Sequence, residues 1–528
     1  RSRRLQKSGK MRTRNIQKYF GPPGTGKTTT LLQLVEDHLQ NGIQPDKMAF
    51  ISYSVKAAAE AKNRASISIG LGFDEMPYFC TSHAFCKRVM GMGRVLSGDD
   101  IADFLREYSF NLTKNYSMEN RRSVRSLVDD PYFQIIEAAK VNMRTLEEER
   151  LNSEIGLRRD VVPAILHAIA EAWERYREES SPKIYSFADM ITQFIESGEV
   201  PPLDVLIVDE AQDLAELNWQ LVDKLSAEVD VTYIAGDDDQ AIYEWNGARP
   251  ERLINYQGKK IVLDQSYRIP KSVHELADKI SKRISVREEK DYKPRKEQGE
   301  VLDIASTDLL PLEEGNWLVL ASCDYMLSDS NKGYGIRKHL INNGYPFSHN
   351  HFRYIPHKMI NAIDTWEQVL DDKEVTVGQL GDLYQFLGKD SVKRGFISRV
   401  QGDPNKAQKV DKQGMIDNYG LIPDCLDKDW QEVFNRSIDV ERRAFIEKAI
   451  TNKEDLHGEP RIAISTIHQA KGGEADNVAV LLDLSPSQKK YSMLKPDGLH
   501  RQFYVAVTRA LERLYLVKAR NDYYRYII

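Results

Sequence analysis

A glycine-rich stretch near the start of the chain has the residue types and spacing of a phosphate-binding loop. Residues 21–28 read Gly-Pro-Pro-Gly-Thr-Gly-Lys-Thr, which fits the pattern G-x-x-x-x-G-K-[ST] between a strand-like run and a helix-like run. Glycines let backbone N–H groups turn toward phosphate oxygens, and the positive end of the helix adds to the attraction. We expect Lys27 to reach the β- and γ-phosphates and Thr28 to hold Mg²⁺. The predicted nucleotide contacts of this loop are Gly21, Pro22, Pro23, Gly24, Thr25, Gly26, Lys27, Thr28 and Thr29.

Two carboxylates come after a second apolar run. Residues 203–208 are typical of a buried parallel strand, and Asp209 and Glu210 stand directly behind them. Because α/β sheets place their ligand crevice at the carboxyl ends of the strands, we expect both side chains in that crevice. Asp209 is a candidate Mg²⁺ ligand, and Glu210 is a candidate for polarising the attacking water. A helix N-cap is the alternative for this pair, and the phosphate loop favours the metal site.

The segment Gly236-Asp-Asp-Asp-Gln240 follows a third strand-like run, at residues 231–235. Gln240 is a candidate sensor of the γ-phosphate. The three segments together predict that a nucleoside triphosphate is hydrolysed at the strand ends of one α/β domain.

Further segments complete an ordered set of motifs. They are residues 50–59, 81–85, 240–249, 265–268, 466–474 and 504–510. With these the chain strongly resembles the UvrD/Rep/PcrA family of superfamily-one DNA helicases, from Ile16 to Val517. The resemblance implies an ATP-dependent motor on DNA, with Mg²⁺ as the metal that accompanies ATP.

The resemblance also implies roles at the nucleotide. Gln240 is similar to the γ-phosphate sensor, and Gln212 is similar to a glutamine with a comparable coupling role. Arg268 and Arg509 resemble two arginine fingers supplied by the second motor domain. Such a finger neutralises charge on the γ-phosphoryl oxygens and is worth roughly 10³–10⁵ in rate. The predicted catalytic residues are Lys27, Glu210, Gln240, Arg268 and Arg509, and the added nucleotide contacts are Gln212, Tyr267 on adenine, and Glu474 near the ribose and phosphates.

A third set of residues falls where the family contacts single-stranded DNA. Aromatic side chains stack on bases at about 1–3 kcal/mol each, whatever the sequence, which suits a motor that moves along any DNA. For each aromatic residue, packing is the alternative, and the two histidines are equally compatible with a structural role. The predicted DNA contacts are Tyr53, His83, Tyr243, Trp245, Arg249 and His468.

Strand-like runs alternate with helical stretches along the whole chain, which is typical of an α/β fold with parallel sheets. These runs are residues 48–52, 205–208, 231–235, 260–263, 317–321, 477–482 and 514–517. The resemblance divides the chain into two RecA-like motor domains, each with a mainly helical or mixed insertion. The predicted bounds are 11–88 and 182–258 for the first motor domain, 89–181 for its insertion, 259–355 and 456–528 for the second motor domain, and 356–455 for its insertion.

Three positions depart from the family pattern. Gln6 lies at a suitable distance for an adenine-reading motif but lacks its flanking residues, so the selectivity for ATP stays open. Lys471-Gly-Gly-Glu474 replaces the usual Lys-Gly-Leu-Glu, and Ser266 stands where an asparagine is usual. Compact insertions together with these departures resemble phage-encoded or otherwise divergent members.

Composition limits the remaining classes. The 528 residues exceed one ordinary domain, and a net charge of −5 fits a motor with a local basic groove better than a nucleic-acid coat protein. No long apolar stretch predicts a membrane span, and no apolar core follows the basic N-terminal residues. We therefore expect an intracellular protein, in the cytoplasm of a bacterial or phage-infected host and associated with the nucleoid.

The resemblance thus implies a DNA helicase or translocase that separates duplex at single-strand/duplex junctions, and the forms of residues 209–213 and 236–240 are similar to the group that moves 3′ to 5′ on single-stranded DNA. Replication or repair is the expected setting, with no identified protein partner. Two alternatives stay open: a translocase that strips proteins from DNA without efficient unwinding, and a nucleotide-dependent DNA-binding switch.

Overall fold

The computed structural model describes residues 15–52, 55–108, 130–152, 161–328, 333, 335–434 and 437–528. The chain forms two compact units. The first unit comprises residues 1–297 and 495–504, and the second comprises 298–494 and 505–528.

A parallel sheet forms the centre of the first unit. Its strands lie in the order β3-β2-β6-β7-β1-β8, and every neighbouring pair is parallel. The strands are β1 (Asn15–Phe20), β2 (Met48–Ser52), β3 (Phe79–Thr81), β6 (Val205–Asp209), β7 (Val231–Gly236) and β8 (Lys259–Val262), with β4 (Arg94–Val95) and β5 (Ile184–Tyr185) pairing separately.

Helices cover both faces of this sheet, and several of them lie between β3 and β6, in the segment predicted to be an insertion. The helices are α1 (Lys27–Gln40), α2 (Val55–Ile69), α3 (Ser82–Met90), α4 (Gly98–Glu107), α5 (Pro131–Val141), α6 (Leu146–Asn152), α7 (Pro163–Glu179), α8 (Phe187–Ser197), α9 (Glu216–Ser226), α10 (Pro250–Asn255) and α11 (Lys271–Ser281).

The side chains of the central strands alternate between two cores because successive residues of a strand point to opposite faces. Leu206 and Val208 pack with Trp219 in one core, whereas Val205 and Ile207 pack in the other. Both faces are therefore covered, and β2, β6 and β7 are buried along their whole length. This explains why these strands are continuous apolar runs in the sequence.

The strand register brings three carboxyl ends together. Phe20, the last residue of β1, lies opposite Gly236, the last residue of β7. Val208 of β6 lies opposite Ile234 of β7. The loops after β1, β6 and β7 therefore start from three adjacent strands at the same edge of the sheet.

The insertion of the first unit has a core of its own. Phe104 of α4, Phe133 of α5 and Trp173 of α7 are buried together, with ring centroids 5.0–6.0 Å apart. The insertion is also joined to the main body, since Lys140 of α5 and Arg177 of α7 both pair with Asp189 of α8.

A second sheet forms the centre of the second unit. Its strands lie in the order β12-β11-β15-β10-β16-β17-β9, and all neighbouring pairs are parallel except β11 with β12. The strands are β9 (Glu300–Ile304), β10 (Trp317–Ala321), β11 (Phe347–His349), β12 (Phe352–Arg353), β15 (Ile462–Thr466), β16 (Ala475–Leu481) and β17 (Ala510–Val517), and β13 (Val375–Thr376) pairs with β14 (Lys409–Val410).

The helices of the second unit lie mostly between β12 and β15. One hydrophobic cluster includes Val319 of the sheet as well as Trp366 and Trp430 of these helices, so the predicted insertion shares the core of the sheet. The helices are α12 (Ile336–Asn343), α13 (His357–Leu370), α14 (Val377–Leu383), α15 (Phe396–Gln401), α16 (Lys412–Asn418), α17 (Trp430–Val433), α18 (Val440–Thr451), α19 (Pro486–Leu494) and α20 (Pro496–Val507), which the two units share.

The predicted α/β class with two parallel sheets is confirmed. The structural boundary differs from the predicted one at 258/259, because β8 pairs in parallel with β1 and the first unit continues to Glu297. An edge strand cannot be assigned to a sheet from its own residues alone, since its partner is distant in sequence. The division of each unit into a motor domain and an insertion stays a prediction. Among the described residues, no helix combines the length and the apolar character needed to cross a membrane.

Candidate functional site

The loop between β1 and α1 is a tight turn that closes on itself. Gly24 and Gly26 have φ angles of 73° and 79°, a region that side chains with a Cβ rarely adopt. The hydroxyl of Thr25 donates to the Pro22 carbonyl oxygen at 2.8 Å. A Cβ on Gly24 would lie 2.3 Å from the Cβ of Arg268, so this position has no room for a side chain. The glycines of the sequence motif are thus required by the backbone and by a close neighbour.

Lys27 lies across the loop that precedes it. Its Nζ donates to the carbonyl oxygen of Gly21 at 2.8 Å. A Cβ on Gly21 would lie 2.2 Å from Cγ of Lys27, so the glycine makes room for the lysine stem. The amide of Gly21 also donates to Gly236 O at 3.1 Å, which joins this loop to the end of β7.

Thr28 and Asp209 form a pair of oxygen ligands at the end of β6. Thr28 Oγ1 donates to Asp209 Oδ2 at 3.0 Å. Burial raises the pKa of the Asp209 carboxyl to about 7, and the neighbouring Glu210 carboxylate adds to the shift, while Lys27 opposes it. Hydroxyl and carboxylate oxygens are the ligands that Mg²⁺ accepts, with phosphate oxygens and waters completing its shell. The residues present therefore fit a Mg²⁺ ion that arrives with a nucleotide. In the described part of the chain, no group of three or more His, Cys, Asp or Glu side chains forms a metal cage by itself.

Gln212 connects the segments after β6 and β7. Its Nε2 donates to the Glu210 carboxylate, and its Oε1 accepts a hydrogen bond from the Asp237 amide at 3.0 Å. Glu210 itself has a φ of 54°, which is uncommon for a residue other than glycine, asparagine or aspartate. A Cβ on Gly236 would lie 2.5 Å from Gln212 Oε1. One buried side-chain amide thus links Glu210 to the segment that carries Gln240.

Gln240 is held by the first aspartate of its own motif. Its Nε2 donates to Asp237 Oδ2 at 2.7 Å, and the side chains of Asp237, Asp238 and Asp239 are all buried. Three adjacent carboxylates in an apolar environment require compensating cations.

Two cations that sequence reasoning missed supply that compensation. Nζ of Lys290 lies within 3.3 Å of a carboxylate oxygen of each of the three aspartates. Arg287 donates two hydrogen bonds to Asp239, at 2.9 and 2.7 Å. Burial disfavours the charged form of Lys290, but the aspartates outweigh this effect and raise its pKa. The sequence signal for these cations was the run of three aspartates after a buried strand. Burial of that many negative charges requires positive charges from elsewhere in the chain.

Tyr267 and Arg268 contact the phosphate loop within the first unit. The Tyr267 amide donates to Gly24 O at 2.9 Å, and the buried hydroxyl of Ser266 donates to Pro23 O at 2.8 Å. The same hydroxyl accepts hydrogen bonds from the backbone amides of Arg268 and Ile269. Ser266, which departs from the family pattern, therefore ties this segment to the loop. Arg268 was predicted on the second motor domain, and the structure instead places it in the first compact unit.

The predicted DNA contacts of the first unit have different environments. Trp245 is 71% exposed and makes an edge contact with Tyr243, at 6.4 Å between ring centroids. His83 packs its ring against Phe187, and burial lowers its pKa to about 4. Arg249 lines a cavity of about 360 Å³ beside α10. Tyr53 lies outside the described residues, as does Gln6 of the predicted adenine motif.

The remaining predicted site residues lie in the second unit. Arg509 is buried, and its guanidinium donates to the carbonyl oxygens of Val505 at 2.9 Å and Gly473 at 3.3 Å. Glu474 is exposed and directly precedes β16, whereas His468 is half-buried in the turn after β15. Arg509 and the 472–474 turn are therefore neighbours within this unit.

Comparison with known families assigns the chain. The UvrD/REP helicase N-terminal domain matches residues 18–260, and the UvrD-like helicase C-terminal domain matches residues 417–521. The chain belongs to the UvrD/Rep helicase family. The predicted resemblance is thereby confirmed, and the two parallel-sheet units correspond to the RecA-like P-loop architecture of that family.

Three curated relatives illustrate how distant the similarity is. A probable DNA helicase II homolog of Mycoplasma capricolum is 22% identical over 427 residues, which are 76% of this chain and 54% of the relative. The ATP-dependent DNA helicase PcrA of Bacillus subtilis is 24% identical over 52% of this chain and 39% of its own length. PcrA of Staphylococcus aureus is 22% identical over 51% of this chain and 38% of its own length. The chain thus spans about half the length of these relatives or less.

Proposed function

We propose that this protein is an ATP-dependent DNA helicase that moves 3′ to 5′ on single-stranded DNA. The junction of three loops at adjacent strand ends carries the nucleotide-hydrolysis part of this proposal, and the DNA substrate and the direction of movement rest on the family resemblance. The phosphate loop after β1 contacts the end of β7 through Gly21, and Gln212 links the loops after β6 and β7. Nucleotide and γ-phosphate sensor would therefore belong to one hydrogen-bonded structure.

Each residue of the site has a chemical task in the proposed reaction. Lys27 leaves the Gly21 carbonyl and places its charge on the β- and γ-phosphates, and Glu210 accepts a hydrogen bond from the attacking water. Thr28 and Asp209 hold Mg²⁺, which when bound neutralises charge on the phosphate oxygens. Arg268 and Arg509 stabilise the charge that develops on the γ-phosphoryl group, and Tyr267 and Glu474 hold the adenine and ribose. ATP shifts the protein between conformations only because it binds one of them more tightly.

Contacts with single-stranded DNA couple this reaction to movement. The exposed indole of Trp245, only five residues after Gln240, provides a stacking surface that does not depend on base sequence. Tyr53, His83, Tyr243, Arg249 and His468 are the further proposed contacts. The proposed substrate is a junction between single-stranded and duplex DNA. The proposed setting is replication or repair inside the cell, where DNA and ATP are present.

The direction of movement is tested with two tailed duplexes of identical sequence. ATP and Mg²⁺ are added to the protein with a duplex bearing a 3′ single-stranded tail or a 5′ tail, and strand separation is followed by fluorescence. We expect faster unwinding of the 3′-tailed duplex. Preferential unwinding of the 5′-tailed duplex would contradict the proposed direction. DNA-stimulated ATPase that displaces streptavidin from a biotinylated strand without unwinding would instead favour the protein-stripping translocase.

A further inference from the structure

Arg501 is a buried arginine to which neither the sequence motifs nor the proposed chemistry gave a role. It lies in α20, within the part that belongs to the first unit, and it is 1% exposed. Its Nε donates to Asp238 O at 3.0 Å, its Nη1 pairs with the Glu244 carboxylate, and its Nη2 donates to Val286 O at 2.6 Å. One rigid guanidinium therefore holds three separate backbone segments.

Two of those segments have different roles in the proposed function. Asp238 begins the short turn that ends at Gln240, the candidate γ-phosphate sensor. Glu244 begins the next turn, which includes Trp245, the exposed candidate base-stacking residue. The guanidinium is planar and its donors have a fixed geometry, so a shift of one turn changes the hydrogen bonds to the other.

The third segment, residues 285–287, restrains the helix that carries Arg501. Asp497, in the first turn of α20, accepts hydrogen bonds from the amides of Ser285 and Val286, both at 2.9 Å. Arg287 in the same segment binds Asp239 through two hydrogen bonds. The helix that carries Arg501 is thus fixed to the segment that also neutralises the aspartates beside Gln240.

The charge of Arg501 distinguishes it from a simple packing residue. A buried guanidinium carries a desolvation cost, and an apolar side chain of similar volume often fills such a space with equal or greater stability. What an apolar side chain cannot supply is a directional link between a backbone carbonyl of one turn and a carboxylate of the other.

We propose that Arg501 is a positioning residue that couples the Gln240 turn to the Trp245 turn, so that DNA on Trp245 alters ATP hydrolysis at the sensor. This inference rests on the proposed function and adds the path by which its two sites communicate. Glu244 is the residue through which Arg501 contacts the turn that carries Trp245, the proposed DNA contact.

The test measures ATP hydrolysis by the full chain with and without single-stranded DNA, in Arg501→Gln, Glu244→Gln and the double variant. Coupling between two sites is usually a 5- to 150-fold effect. We expect the ratio of DNA-stimulated to basal rate to fall by roughly that factor in each single variant, and no further in the double variant. Arg501→Lys should restore part of the ratio because it keeps the charge without the fork. Lys282→Gln, which removes an exposed lysine from the end of α11, is the matched control and should keep the full ratio.

The outcomes separate this inference from the proposed function. If the unmodified protein shows no DNA stimulation, the proposed function fails and the coupling role fails with it. If the unmodified protein is stimulated and Glu244→Gln retains the full ratio, only the coupling role is overturned. Glu244 has a partly exposed side chain, so this variant decides the matter even if Arg501→Gln does not fold, as shown by its thermal unfolding midpoint.

Discussion

The two parallel sheets of this protein differ most in the loops that leave their central strands. In the first unit, β1 leads into a loop in which Gly24 and Gly26 have positive φ angles and Gly21 leaves room for the stem of Lys27. In the second unit, β10 leads into Ser322, whose hydroxyl donates to Asp483 O at 2.9 Å, and then into a short turn with buried Met326 and Leu327. The protein's own side chains occupy the end of β10. The same architecture thus has a glycine loop with a candidate nucleotide site in one unit and a turn with buried apolar side chains in the other, and the loop residues make the difference.

The two units also differ in the charged side chains that they bury near the ends of their strands. The first unit buries Asp209 and Asp237–Asp239 at its strand ends, with Lys290 and Arg287 as compensating cations. In the second unit, the buried guanidinium of Arg509 donates to backbone carbonyls. This difference in charge supports the proposal that the first unit binds and hydrolyses nucleotide.

The largest expected effect comes from the lysine of the glycine loop. Lys27→Ala removes the cation proposed to reach the β- and γ-phosphates, and we expect the turnover number for ATP to fall by roughly 10²–10³-fold. Lys373→Ala, which removes an exposed lysine of the second unit, is the control and should leave turnover unchanged. Equal turnover in both variants would remove the functional distinction between the two units.

A smaller effect is expected at the exposed indole of the first unit. Trp245→Ala removes one stacking surface, worth about 1–3 kcal/mol, so the Kd for a labelled oligo-dT should rise roughly 5- to 150-fold in a fluorescence anisotropy titration. DNA-stimulated hydrolysis should decline more than basal hydrolysis. Tyr523→Ala removes an exposed aromatic ring from the second unit and serves as the control. A proportional loss of basal and stimulated rates would show that Trp245 has a packing role.

The smallest effect concerns His83 and the stability of the first unit. Burial lowers the pKa of this histidine from 6.5 to about 4, so between these pH values the unfolded chain binds a proton that the folded protein does not. The free energy of unfolding therefore falls as the pH decreases through this window. We expect His83→Gln to lose less stability than the unmodified protein between about pH 7 and about pH 5, by on the order of 1–2 kcal/mol. Urea denaturation at the two pH values measures the difference, and an identical pH dependence in both proteins would show that His83 titrates normally.

Local sequence patterns predicted much of the fold. The runs 48–52 and 317–321 coincide with β2 and β10, because strands buried on both faces are continuous apolar segments. The glycine motif predicted the loop after β1, since its spacing reflects a backbone requirement. The position of β8 in the first sheet was not predictable in this way, because β8 has exposed residues and its partner β1 lies more than two hundred positions away.

The candidate site was predictable to a similar extent. Motif spacing identified Lys27, Asp209 and Gln240 as candidates, because each belongs to a short segment with a recognisable residue pattern. Lys290 and Arg501 could not be predicted because their partners are distant along the chain: Asp238, for example, lies 52 positions from Lys290 and 263 from Arg501. Single basic residues in charged segments have no local signature, so only the folded chain shows which of them neutralise buried carboxylates.

The proposed function depends on coupling between nucleotide hydrolysis in the first unit and the binding of single-stranded DNA. Its most direct test is the steady-state rate of ATP hydrolysis with Mg²⁺, alone and with saturating single-stranded DNA, single-stranded RNA or blunt duplex DNA. We expect a slow basal rate that single-stranded DNA raises by roughly 5- to 150-fold and that the other nucleic acids raise much less. A slow rate that no nucleic acid changes would contradict it and would favour a nucleotide-dependent switch.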